Sequence, residues 1–126
     1  MKPFLPSISL LCAILLFSVW NCARISRDTQ RWSAPLTQVS DLAGQDRWSD
    51  AEERLAESYR DWSSHQTYLH IVAEHEAVDG AEAMYRRAFA YAEARETPEF
   101  RAELTDLLHQ LNLLSEMEEI SIKNIL

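Results

Sequence analysis

Residues 48–62, WSDAEERLAESYRDW, carry the clearest helical pattern in the body of this chain. Ser49 followed by Glu52 is a capping-box signature, and Trp48 just before it is placed to pack back on the first turn. An apolar stripe then recurs every three or four residues, which is the period of one helix face. The pattern predicts a helix of about 25 residues with one buried face. Apart from one glutamine the stripe is apolar, and it comprises Ala51, Leu55, Tyr59, Trp62, Gln66, Leu69 and Ala73.

Weaker apolar stripes in the sequence before and after this helix predict two neighbouring helices. Before it, a helix capped by Ser33, with Pro35 in its first turn and Gly44 at its end, presents one apolar face. After it, a third helix is expected from about Val78 to Arg95. The inward-facing residues of these two helices are expected to be Trp32, Leu36, Val39 and Ala43 in the first, and Ala81, Met84, Ala88 and Tyr91 in the second.

The sequence Thr97-Pro98-Glu99 predicts the start of a fourth helix, since it combines a cap, a proline at the first helical position and an acid in the first turn. Short connections between such helices make neighbours antiparallel. The fold class is therefore expected to be all-α, with an N-terminal transmembrane helix followed by a small antiparallel bundle of about four helices. The inward stripe of the fourth helix is Phe100, Leu104, Leu107, Leu111 and Leu114.

The first 23 residues, MKPFLPSISLLCAILLFSVWNCA, contain no charge after Lys2. Residues 4–23 would span about 30 Å as a helix, which matches one hydrocarbon core. The residues before Cys22 fit neither a cleaved signal peptide nor a lipoprotein signal well, because they are not small. We therefore expect an uncleaved anchor over 1–23, a juxtamembrane helix and linker over 24–47, and a helical bundle domain over 48–126.

The orientation of this anchor is open to two interpretations. Counting flanking charges places the body in the cytoplasm, because three arginines follow the anchor and only Lys2 and the terminal amine precede it. The short start before an apolar core instead resembles an export signal, and we expect a single-pass protein of the cell membrane with its body outside the cytoplasm. Both cysteines, Cys12 and Cys22, lie within the anchor about 15 Å apart on one helix, so they cannot bridge each other.

The charge of the chain disfavours nucleic acid as a partner. It carries 12 basic and 20 acidic residues, for a formal net charge of -8. An acidic body has no electrostatic attraction to nucleic acid or to an anionic lipid surface. The membrane is therefore expected to be contacted through the N-terminal helix, and a protein partner is expected, such as an integral membrane protein.

Two pairs of residues are candidate metal ligands. His75 and Asp79 are four apart on one helix face, and Asp106 and His109 have the i, i+3 spacing used by carboxylate-bridged metals in helical bundles. The sequence after His75 lacks the second histidine of a metalloprotease motif. His65, His70 and His75 are five apart, which on one continuous helix would keep them from converging. Neither pair has an obvious third ligand, so we expect no bound metal, no cofactor and no catalytic residue.

The end of the chain, SEMEEISIKNIL, raises a separate question about its aliphatic residues. They either fill an apolar groove at one end of the bundle or form a handle for a partner. Burying them would contribute roughly 1.5–3 kcal/mol for each side chain, and exposed aliphatic clusters are costly, which favours internal packing. The four residues are Ile120, Ile122, Ile125 and Leu126.

Short motifs along nearly the whole chain resemble a family of small bacterial proteins known only as a domain of unknown function and widespread in clostridia-like Gram-positive bacteria. The matching marks are the W-x-x-A-E of Trp48, Ala51 and Glu52, then Trp62, the H-E-x-x-D of His75, Glu76 and Asp79, the leucine-rich fourth helix and the ending S-x-x-N-I-L from Ser121.

This resemblance implies a single-pass protein with an extracytoplasmic helical body and no established activity, so no catalytic residue carries over. It also implies a histidine at about position 113, where this chain has Leu113-Leu114-Ser115 instead. The expected function is a non-catalytic interaction or support module for a membrane or envelope protein, with Trp48, Trp62 and the four tail aliphatics available for partner contact or packing. The alternative is a metal- or ligand-binding module that uses His75, Asp79, Asp106 and His109.

Overall fold

The computed structural model describes the backbone of residues 4–72 and 75–125 and the side chains of residues 4–71 and 75–117. Within these ranges the chain forms five α-helices and no strand. This confirms the predicted all-α class with a long apolar N-terminal helix and a small bundle. The helices are α1 (Leu5–Gly44), α2 (Trp48–Ser64), α3 (Gln66–Val72), α4 (His75–Ala94) and α5 (Thr97–Ile125).

Helix α1 is 40 residues long and continues through the boundary expected at residue 23. At 1.5 Å per residue it extends about 60 Å, twice the thickness of a hydrocarbon core. The expected helix start at Ser33 is wrong, because Ser33 and Pro35 lie inside α1. The second half of the helix belongs to the core of the bundle, where Trp32, Leu36 and Val39 are fully buried.

The bundle consists of the second half of α1 together with α2, α4 and α5. Helix α1 packs against α2 and α5, α4 packs against α5, and the short α3 bridges α2 and α4. The predicted stripe of α5 is confirmed, since all five of its residues are at most 1% exposed. In α4 the prediction holds in part: Ala81 and Ala88 are fully buried, whereas Met84 and Tyr91 are half-buried and pack against the core.

The α1–α2 and α4–α5 connections share one capping geometry. Asp46 and Arg95 adopt left-handed backbone conformations, with φ of 63° and 55°. In each turn the next amide donates back to a carbonyl of the preceding helix, over 2.9 Å from Arg47 and 3.0 Å from Glu96. Helix α1 ends at Gly44 as expected, but the left-handed position of the turn is taken by Asp46, which aspartate tolerates.

The long helix predicted from residue 49 is divided at His65, and its start at Ser49 is also wrong, since α2 begins at Trp48 without a side-chain cap. The carbonyl of Asp61 should accept the amide of His65 in a continuous helix. It instead lies 2.7 Å from the Ser64 hydroxyl and 2.9 Å from Nδ1 of His65, while the His65 amide donates to Trp62. Competition by these side chains ends α2 at Ser64, and α3 begins at Gln66.

Candidate functional site

At the end of the bundle from which the apolar half of α1 emerges, polar side chains connect α1 to α3. We call Trp20, Asn21, Arg24 and Tyr68 the anchor junction, since they connect α1 to α3 where the apolar run stops. The Tyr68 hydroxyl donates a hydrogen bond to the side-chain oxygen of Asn21, which is only 4% exposed. The Arg24 guanidinium lies 4.4 Å from the centroid of the Tyr68 ring and 5.5 Å from that of Trp20, within cation–π range.

One turn further along α1, an ionic cluster joins α1 to α2. The Asp28 carboxylate, only 6% exposed, lies 2.9 Å from the Arg31 guanidinium and 4.0 Å from that of Arg24. Arg31 also binds both carboxylate oxygens of Asp61 on α2, with Nη2 3.1 Å from Oδ1. This hydrogen bonding from Arg31 lowers the pKa of Asp61 against the opposing effect of burial. The cluster holds the start of the bundle to α2.

Four polar side chains in and beside the core form hydrogen bonds that join helices. The Ser58 hydroxyl donates to the Trp32 carbonyl over 2.7 Å and therefore accepts from the Tyr85 hydroxyl, also at 2.7 Å. Burial raises the pKa of Tyr85 above its ordinary value. The hydroxyl of Tyr59 donates to Glu82 over 2.7 Å, and this hydrogen bond raises the pKa of Tyr59. These hydrogen bonds connect α1, α2 and α4, so the groups that form them have a structural role.

The two tryptophans proposed for packing or partner contact lie in the core. Trp48 is 5% exposed, and its ring centroid lies 5.2 Å from that of Phe100 in an edge-on arrangement. Trp62 is fully buried, 5.2 Å from Tyr85 between ring centroids. Neither indole face is open to a partner in this conformation.

His70 and His75 lie in direct contact, which contradicts the expectation that these histidines would not converge. Their rings are stacked with centroids 5.0 Å apart, and the two Nδ1 atoms are separated by 2.9 Å. The expectation assumed one continuous helix, whereas His70 belongs to α3 and His75 begins α4. Asp79 joins them, with Oδ1 3.9 Å from Nε2 of His70.

The other candidate ligands, Asp106 and His109, are exposed on α5. Among the described side chains, no three histidine, cysteine or acidic residues form a group that could hold a metal ion. The four tail aliphatics fall outside the described side chains, so the choice between packing and a handle stays a prediction.

The described surface also includes an open groove of about 460 Å³ between α1 and α2, at the end of the bundle far from the anchor junction. Its charged residues are partly paired with each other: Arg47 lies 2.6 Å from Asp50, and Arg54 lies 3.4 Å from Glu57. The groove has little apolar lining beyond Leu42. Its paired charges are typical of a solvated surface between two helices.

Exposed large hydrophobic side chains are concentrated in one place. With one exception, those among the described side chains lie between Phe4, just before α1, and Trp20 on α1. The exception is Ile71 on α3, which is 77% exposed and three residues beyond Tyr68 of the anchor junction. Helix α1 is long and apolar enough to cross a membrane. Among the described side chains, the large exposed apolar residues thus lie in the N-terminal apolar run and at the adjoining corner of the bundle.

Comparison with known proteins gives one family match. The model of DUF4363, a domain of unknown function, matches residues 19–125 and so covers the whole bundle together with the last turn of the apolar run. Neither the curated proteins nor the solved structures give a match.

Proposed function

The chain belongs to the DUF4363 family, and we propose that it is a single-pass membrane protein whose helical body supports or binds another membrane or envelope protein without catalysing a reaction. The observation that carries this proposal is the unbroken course of α1 from Leu5 to Gly44. One helix supplies both the apolar segment and a quarter of the bundle. Such a helix would hold the body at a set height and rotation over the bilayer.

The anchor junction supports the same proposal. Asn21 and Arg24 follow the apolar run directly, and both contact Tyr68 of α3. These contacts brace α1 against bending where it would leave the membrane. A stalk built for independent movement of the body would instead have a flexible linker at this point.

The distribution of apolar surface supports one location for the proposed partner contact. The core tryptophans are buried, whereas the first half of α1 and Ile71 are exposed. We therefore place the partner contact on the apolar face of α1 and the neighbouring α3 corner. A helix within a membrane associates with others through packing rather than through the hydrophobic effect, so the partner would be an integral membrane protein.

The body is proposed to lie outside the cytoplasm, as the resemblance implies and against the count of flanking charges. The body has no cysteine, so an introduced one reports topology. Ser49→Cys, at an exposed position, should react in intact cells with a membrane-impermeant maleimide. Labelling that requires lysis of the cells would place the body in the cytoplasm.

Photo-crosslinking from α1 tests the partner. A photoreactive residue is introduced singly at each position from 8 to 17 in native membranes, and adducts are identified by mass spectrometry. We expect one membrane protein to be captured, with yields that rise and fall every three to four positions. The control position is Glu53, at the far end of the bundle, where no adduct is expected. Adducts to lipid alone, or yields without helical period, would contradict the proposal.

The tail is tested in the same membranes by truncation after Glu119. Retention of the partner together with a lower unfolding temperature would assign Ile120, Ile122, Ile125 and Leu126 to internal packing. Loss of the partner from a body of unchanged stability would make the tail a binding handle.

A further inference from the structure

One large apolar side chain of the helical body faces outward. Ile71 on α3 is 77% exposed, and the other exposed large hydrophobic residues among the described side chains all belong to residues 4–20. A single exposed aliphatic residue is common on protein surfaces and needs no explanation by itself. Its role depends on where α3 lies relative to the apolar run of α1.

The contacts of α2 and α3 with α1 give that position. Ser58 of α2 donates to the Trp32 carbonyl, and ten residues later Tyr68 of α3 donates to Asn21. As the chain advances, it therefore descends along α1 toward the apolar run, and at Tyr68 it has reached the end of that run. Ile71 follows within one helical turn, after a rise of about 4.5 Å.

Helix α4 gives the same level from the other side of the corner. The Tyr85 hydroxyl lies 2.7 Å from that of Ser58, which is level with Trp32 on α1. His75 begins α4 ten residues before Tyr85, about 15 Å away along a helix. The same distance back along α1 from Trp32 ends within one residue of Asn21, since helices of such bundles run nearly parallel or antiparallel. Both sides of the corner are thus level with the end of the apolar run.

The side chains at this level are of the types that membrane proteins place at the bilayer surface. Trp20 is 48% exposed, and Arg24 lies between its ring and that of Tyr68, with centroid distances of 5.5 Å and 4.4 Å. Tryptophan and tyrosine are enriched at the headgroup level, and arginine there keeps its apolar stem along the protein and its charge in the polar layer. The level of the corner therefore coincides with an aromatic and basic belt.

We propose that the α3–α4 corner, from Tyr68 to Ile71 together with His75, is immersed in the headgroup region of the bilayer that α1 crosses, with Ile71 at its deepest point. The inference rests on the membrane anchor of the proposed function and not on a protein partner, which would meet the corner in the same layer. Interfacial segments place apolar side chains about 5–10 Å into the boundary between headgroups and acyl chains. Glu76 and Asp79 are exposed on α4, so immersion is limited to the corner.

The test measures depth by electron paramagnetic resonance in phosphatidylcholine vesicles that contain only the purified full-length protein. Cys12 and Cys22 are replaced by alanine, and a nitroxide is attached singly through Ile71→Cys, Leu16→Cys or Ser49→Cys. Oxygen concentrates among the acyl chains and a water-soluble nickel complex is excluded from them, so the ratio of the two accessibilities reports depth. We expect the ratio at position 71 to lie several-fold above that at exposed position 49 and below that at position 16.

Thr67→Cys is the matched control within α3, because Thr67 is exposed and lies four residues before Ile71 on the same face of the helix. The oxygen-to-nickel ratio should be lower at position 67 than at position 71, since α3 descends toward the membrane. A ratio at 67 as high as that at 71 would contradict this descent and overturn the inference.

Position 16 separates failure of this inference from failure of the anchor. A water-like ratio at position 71 with a deep one at position 16 would overturn immersion of the corner and leave the anchor intact. A water-like ratio at position 16 would overturn the anchor and this inference together. Low access of both reagents at position 71 would mean that Ile71 packs against a second copy of the chain and not against lipid, which would also overturn the inference.

Discussion

The two halves of α1 contain similar apolar residues but present them to different surroundings. Leu16, in the first half, is 72% exposed, and Leu36, in the second half, is fully buried. In the first half apolar residues occupy nearly every position, whereas in the second half they recur every three or four. The distribution of apolar residues around the helix, more than their identity, separates a segment suited to lipid from one suited to a protein core.

The comparison also shows why the change of surroundings needs no break in the helix. An α-helix satisfies its own backbone hydrogen bonds in lipid, in water and in a core alike. Only the side chains have to change, and they do so at the anchor junction, where Asn21 and Arg24 replace aliphatic residues. A continuous helix is therefore the simplest way to connect an anchor to a bundle rigidly.

The sharpest test of this comparison substitutes the same residue type in each half. Leu36→Ala should lower the free energy of unfolding of the bundle by about 2–5 kcal/mol, because it leaves a cavity in the core. Leu16→Ala should change it by less than about 0.5 kcal/mol, as substitutions outside the core do. Both are measured by denaturation of the full-length protein in detergent, followed by circular dichroism. Equal losses would mean that the first half also packs within the folded body.

A smaller effect is expected at the junction between the halves. Tyr68→Phe removes the hydroxyl that donates to the buried Asn21, and weakening a buried polar pair costs about 1–3 kcal/mol. The loss should be local, so amide exchange should accelerate in α3 more than in α5. Uniform acceleration across both helices would show that the junction stabilises the whole bundle rather than the corner.

Much of the core could be predicted because it depends on local periodicity. The stripes of Leu36 and Val39 in α1 and of Leu104 and Leu107 in α5 are buried as their spacing indicates. The period of 3.6 residues reports which face turns inward, independently of how the helices are arranged.

The turns and the contacts between helices were less predictable. The stripe continues through His65, so hydrophobic spacing could not reveal that Ser64 and His65 take the Asp61 carbonyl and end α2. That unrecognised break is also what brings His70 to His75. The hydrogen bond from Tyr68 to Asn21 joins residues 47 apart in the chain, and no local pattern records such a contact.

The smallest expected effect concerns Asp61, which ties α2 to the second half of α1 through Arg31. The pKa of Asp61 is lower in the folded protein than its ordinary value, because Arg31 hydrogen-bonds the carboxylate. The stability from this pair is therefore fully present above the unfolded pKa, about 3.9. It is lost as the pH falls through the folded pKa, when the carboxylate is protonated.

Asp61→Asn should accordingly lower the free energy of unfolding by about 1 kcal/mol at pH 7, since the pair is partly exposed. The difference from the wild type should shrink below about pH 4. Glu57→Gln serves as the control, because its pair with Arg54 is exposed and longer, at 3.4 Å, and it should cost only a few tenths of a kcal/mol. Denaturation curves between pH 2 and 7 measure both. If the difference in free energy of unfolding between the wild type and Asp61→Asn stays unchanged down to pH 2, the charge of the Asp61 carboxylate does not stabilise the fold. Packing, and not this ion pair, would then join α2 to α1.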